Sequence, residues 1–217
     1  MKDNKYIEIL ENCIKQMIQP LKSIPFNLII KSISGFEVEF FNSKKASHKA
    51  SLETLIELGN KIIGTEIKSS RPNEVGNKIE PHVLNGLKEK GVEAGIPKTK
   101  SGKIQSTGYP DIEFKIDAEV FYLECKTFNK ENVTQTFRTF YFSPSESFKI
   151  TSDAVHFLIA FEIMKIKDST FEVKSFKILS LNAMLCDLKS EFNSSNKIMY
   201  SGEGGTEVLF ESSESLS

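Results

Sequence analysis

The segment from Asp111 to Lys126 alternates polar and apolar residues along its length, interrupted only where Asp117 and Ala118 offer a turn. A period of two over such a span is the pattern of a β-hairpin with one buried face, and the rest of the chain must fold around that ribbon. With the turn centred between Asp117 and Ala118, Ile116 faces Glu119, Phe114 faces Phe121, Ile112 faces Leu123 and Asp111 faces Glu124. Parity puts Ile112, Phe114, Ile116, Phe121, Leu123 and Cys125 on a core face. Asp111, Glu113, Lys115, Tyr122, Glu124 and Lys126 fall on the other, expected to be wet.

Two carboxylates opposed across a ladder, with Cβ atoms roughly 4.5 to 5.5 Å apart, destabilise the pairing unless something compensates them. A divalent cation would do so, and the oxygens of Asp111 and Glu124 beside the Lys126 ammonium suit Mg²⁺. Such a trio can hold a water in line with a phosphodiester and stabilise the charge that develops as the bond breaks.

Around the hairpin the pattern predicts further elements. Ile7, Leu10, Ile14, Met17 and Ile18 define an amphipathic helix over Asn4 to Ile18, read as core packing and stopped by Pro20. Strand-like runs at Phe26 to Lys31 and Phe36 to Phe41 flank a turn at Ser34 and Gly35, and a helix follows from Ser51, as N-cap, to Ile63. Residues 74–90 read as a third helix, ended by Gly91, which either starts near Glu80 with Pro81 in its first turn or kinks there. Residues 95–108 read as an exposed basic loop, Ala154 to Lys165 and Phe171 to Leu181 as strands, and Leu181 to Phe192 as a helix. The sum is α/β, a mixed central sheet flanked by helices. Residues 1–200 read as one domain, with an N-terminal subregion 1–70 and a core 71–200, followed by a poorly ordered acidic tail, 201–217.

Composition narrows the function classes. The three cysteines, Cys13, Cys125 and Cys186, are dispersed, which excludes a disulfide framework and a zinc knuckle. No apolar run approaches the ~18 residues of a membrane span, and the polar N-terminus does not resemble a signal peptide, so a cytoplasmic location without membrane attachment is expected. Neither a Walker loop nor a dinucleotide glycine fingerprint is present. His48, His82 and His156 are too scattered for a metal set, and His156 is expected to be structural.

Gly108-Tyr109-Pro110-Asp111, followed after twelve residues by Glu124-Cys125-Lys126, resembles the signature of the PD-(D/E)XK nuclease superfamily, whose best-known branch is the Type II restriction endonucleases. The acid-x-Lys triplets that begin at Asp3, Glu66, Glu172 and Asp187 do not follow a Pro-Asp pair. The resemblance implies a restriction-endonuclease-like core and an acid on an upstream helix, for which Glu80 is the choice and Glu74 the fallback. It implies that Asp111 and Glu124 ligate Mg²⁺ with help from the Cys125 carbonyl, and that Lys126 orients or activates the attacking water. The expected activity is Mg²⁺-dependent, sequence-specific hydrolysis of double-stranded DNA by a homodimer on a palindromic site. A structure-directed repair or junction nuclease and a non-catalytic DNA-binding module stand as alternatives. Lys98, Lys100 and Lys103, together with Lys44, Lys45 and Lys49, could track a phosphate backbone. Gln135, Arg138 and Lys149 lie in a polar run able to bond base edges and phosphates.

Overall fold

The computed structural model describes residues 3–19, 21–132, 140, 148–189, 193–201, 205, 207 and 209. By its contacts the chain divides into two compact units: Ser23–Cys186, and Met1–Lys22 together with Asp187–Ser217. The second unit contributes α1 (Asp3–Met17) and a short C-terminal helix, Asn196–Tyr200. Ile7, Leu10, Met17 and Ile18 are exposed, so the core packing expected for α1 is not seen; an amphipathic stripe is buried only where another apolar surface covers it. Most of 201–217 lies outside the described residues.

In the larger unit the elements run β1 (Ile24–Pro25), α2 (Phe26–Ser34), β2 (Val38–Glu39), α3 (Ala46–Ile62), β3 (Glu66–Lys68), α4 (Pro72–Glu89), β4 (Glu93–Gly95), β5 (Ile112–Ile116), β6 (Glu119–Phe128), β7 (Ala154–Lys167), β8 (Thr170–Ser180) and β9 (Leu185–Cys186). The main sheet has the order β3-β8-β7-β6-β5-β4, with β2 paired parallel to the start of β7. The β6–β7 pair is parallel and every other pair on that path is antiparallel. A parallel pair needs a crossover, and the chain between Phe128 and Ala154 supplies it. The sheet is mixed, as expected, and helices flank it on both faces.

The hairpin register is the one the alternation predicts, with Ile112 opposite Leu123, Phe114 opposite Phe121 and Ile116 opposite Glu119. Asp117 and Ala118 both have positive φ, 50° and 65°, the geometry of a turn whose twist matches the strands it joins. Under one face lie Leu55, Leu58 and Ile62 of α3 and Val75, Ile79, Val83 and Leu87 of α4, packed on Ile112, Phe114, Phe121 and Leu123. Over the other lie Phe26 and Ile30 of α2, with Tyr109, Tyr122, Ile150 and Leu158.

Three expectations change, and of the two readings of α4 the start near Glu80 is excluded. Phe26 to Lys31 is helical rather than extended: Phe26 and Ile30 are one turn apart and fully buried, and Gly35, at φ 83°, closes the helix by donating to the Lys31 carbonyl at 2.9 Å. A short apolar run has no period that could have told the two apart. α3 begins at Ala46, so Ser51 is not its N-cap; its hydroxyl instead donates back to the His48 carbonyl. α4 begins at Pro72, a residue suited to a first turn, and continues through Pro81. The predicted helix at Leu181 to Phe192 is instead irregular chain plus β9 as far as it is described. There, the Asn182 amide bonds the Val38 carbonyl and Phe26 N–H bonds the Met184 carbonyl, tertiary bonds that override local preference.

Candidate nuclease site

Strand β6 is interior to the sheet, bonded on one edge to β5 and on the other to β7, and Phe121 to Cys125 are all buried. The face expected to be wet is therefore partly closed: Tyr122 is fully buried and Glu124 is 4% exposed, because α2 and the chain around Ile150 cover it. Asp111, the residue before β5, lies across from this stretch, and its Oδ2 accepts the Cys125 N–H at 2.8 Å. Lys126, further along β6 on the Glu124 side, bonds Glu124 Oε1. Glu124 Oε2 is buried and has no hydrogen-bond partner among the described residues.

The electrostatics follow from this packing. Burial raises the Glu124 carboxyl to about 7, with Asp111 adding to the rise and Lys126 and Lys149 opposing it. Glu80, half-buried on α4, is also pushed up, first by burial and then by Asp111, against the pull of Lys149 and Lys126. Burial works against the Lys126 charge, yet Glu124 and Asp111 more than offset it and hold the ammonium above its ordinary value. Lys149 is lowered by burial despite attraction from Asp111, Glu124 and Glu80. The charges of Asp111, Lys126 and Lys149 thus act on both Glu80 and Glu124, which makes the five side chains one electrostatic group within the larger unit.

Glu74, the fallback for Glu80, is elsewhere occupied: its carboxylate accepts the hydroxyls of Ser69 and Ser70 in the first turn of α4. The Cys125 thiol is buried in the core beneath the sheet, leaving its backbone as the part available to a ligand. Lys98, Lys100 and Lys103 are exposed on a tight loop bridged from Lys98 to Ile104. Gln135 and Arg138 lie outside the described residues. Lys149 is 2% exposed, so it is not a surface lysine. Sequence reading grouped it with a polar run; no periodic signal links it to the hairpin.

A second cluster of potential metal ligands, Glu39, His48 and Glu119, has donor atoms within 4.8 Å of one another. Its chemistry fits an ion poorly. Asn42 N–H donates to His48 Nδ1 at 3.0 Å, so a neutral imidazole carries its proton on Nε2 and donates it to Glu119. The Lys45 ammonium already bonds Glu119 and lies 4.0 Å from Glu39. This network ties the start of α3 to the start of β6. The other buried histidine, His156, accepts from or donates to the Tyr109 hydroxyl at 2.7 Å, two residues before Asp111.

The family model described as Type II restriction enzyme MjaV family matches residues 20–203. The Type II restriction enzyme MjaV of Methanocaldococcus jannaschii is 38% identical over 221 aligned positions, covering 92% of this chain and 95% of that protein. Among the described residues, no helix is long and apolar enough to cross a membrane.

Proposed function

The chain belongs to the Type II restriction enzyme MjaV family, and from that premise we propose that it hydrolyses double-stranded DNA at a specific sequence, with Mg²⁺, through Glu80, Asp111, Glu124 and Lys126. It is a DNA endonuclease by family; the structure-directed and non-catalytic alternatives are not favoured. The observation that carries the assignment of the site is Glu124 Oε2. A buried carboxylate oxygen with no hydrogen-bond donor is costly, and here it lies beside a second acid that increases the cost. A hard cation is the partner that would relieve both, so the residues present fit Mg²⁺.

Asp111, Glu124 and the Cys125 carbonyl would hold that ion, which when bound supplies Lewis-acid stabilisation of charge on the phosphoryl oxygens. The chain's own groups do the rest. Asp111 Oδ2 is fixed by the Cys125 N–H, which limits how far the carboxylate can reorient and leaves its other oxygen for the ion. Lys126, tethered by Glu124, presents a positive charge to the phosphate and orients the attacking water. Glu80 brings a third carboxylate from α4. Lys98, Lys100 and Lys103 would follow the phosphate backbone, while Gln135 and Arg138 remain candidates for base edges. A homodimer is the natural partner of a two-fold DNA site.

The test is incubation of the full-length protein with a mapped plasmid, with Mg²⁺ or with chelator, and sequencing of the ends. Discrete fragments with one common end sequence, formed only with Mg²⁺, are expected. Random ends, or cutting that survives chelation, would overturn the reading.

A further inference from the structure

Lys149 is the feature of the pocket that the nuclease signature does not contain. Its side chain is 2% exposed and its Nζ has no hydrogen-bond partner among the described residues. The backbone that presents it is fixed: Ile150 is buried in the layer beneath α2, and Thr151 N–H donates to the Tyr122 hydroxyl at 2.9 Å. Tyr122 precedes Glu124 by two positions on the same face of β6, so residues 149–151 are clamped against the side of the sheet that carries the acids. The ammonium acts on Glu80, Asp111 and Glu124 together. A buried cation without a hydrogen bond is retained against its desolvation only where opposite charge surrounds it.

The charges in the pocket limit what else it can take. Glu80, Asp111 and Glu124 bring three negative charges in their ionised forms, and Lys126 and Lys149 bring two positive ones. One divalent ion and one phosphodiester bring the total to zero. A second divalent ion would leave two positive charges uncompensated in a pocket where Glu124 is buried. Without the Lys149 charge, that obstacle is halved. The Glu39 and Glu119 pair shows the same device elsewhere in the chain, with Lys45 as its resident cation.

Resting on the nuclease reading of this pocket, we propose that the Lys149 ammonium takes the place of a second metal ion: each site holds a single divalent cation, and Lys149 supplies the remaining positive charge against the reacting phosphodiester. Lys149 is then a catalytic residue and not a reader of bases.

Mn²⁺ binding to the full-length protein, counted without DNA by electron paramagnetic resonance, tests this. The ions assigned to the pocket are those lost on Asp111→Asn. The wild type should lose one. Lys149→Met, which keeps the apolar stem without its charge, should hold two, or one at least tenfold more tightly; Lys149→Gln is a second variant, and circular dichroism confirms folding. Two pocket ions in the wild type, or an unchanged count and affinity in the folded variants, overturns the role of Lys149 and leaves the nuclease reading intact. The wild-type count decides the matter even if neither variant folds. If Asp111→Asn removes no ion at all, the pocket is not a metal site and both readings fall.

Discussion

Asp111 serves two partners, and the choice of substitution separates them. Asp111→Asn keeps an oxygen to accept the Cys125 N–H but removes the charge, so cleavage should fall by about 10²-fold or more with the melting temperature little changed. Asp111→Ala should lose cleavage and also about 1–3 kcal/mol of stability, because a strand N–H is left without its acceptor. Plasmid cleavage rates and thermal melts on both variants check this; equal stability of the two would remove the structural half of the assignment. Lys126→Ala should abolish cutting while the fold persists, since its ammonium is partly exposed and among the described residues bonds only Glu124. At His156, burial drives the imidazole down to about 3. Between the ordinary value near 6.5 and that point, the unfolded chain carries a proton on this ring and the folded chain does not. Stability is therefore fully present above that window and is lost as pH falls through it, by an amount on the order of a few kcal/mol. Denaturant titrations at pH 7 and pH 4.5 should show a smaller loss for His156→Phe than for the wild type.

The hairpin is the element on which the geometry turns. Its register sets Ile112 opposite Leu123, the residues next to Asp111 and Glu124, and a slip of one residue would move Glu124 to the core side. The turn holding that register is not optimised. Ala118 sits at φ 65°, a conformation that costs a non-glycine residue roughly 1 kcal/mol, so Ala118→Gly should stabilise the protein by up to about that amount in thermal melts without altering cleavage. The ribbon was legible in the sequence because strict alternation and a turn pair leave few other solutions. The helix α2 was not, because Phe26 and Ile30 lie in an apolar run too short to show a period. The helical pattern of α4 was legible from residue 74 onward, and Pro81 alone left a second start near Glu80 open. Burial of the acid-bearing face could not be read from the hairpin alone, since what covers it comes from Phe26, Ile30 and Ile150, distant in the chain. Lys149 was named from the sequence as a polar contact, but its place among the carboxylates depends on the Tyr122 clamp, which leaves no local signature.

For the molecule as a whole, a formal net charge of −1 provides no general attraction to DNA, so binding must rest on local clusters. Replacing Lys98, Lys100 and Lys103 together by Ala should weaken DNA binding by Asp111→Asn protein and reduce the steepness of its salt dependence by roughly 2–3 in log–log slope, as measured by fluorescence anisotropy. An unchanged slope would remove the loop from the interface. Sedimentation velocity should show a species of twice 24.5 kDa. The parallel pairing of β6 with β7 has a further consequence for when, during synthesis, the acids can be brought into line. Leu158 stands opposite Glu124, and the crossover that joins their strands also carries Lys149. A ribosome must therefore deliver most of the polypeptide before the strand bearing Glu124 gains its second edge. Until then, a half-made chain has the acids without the second edge of the sheet that aligns them.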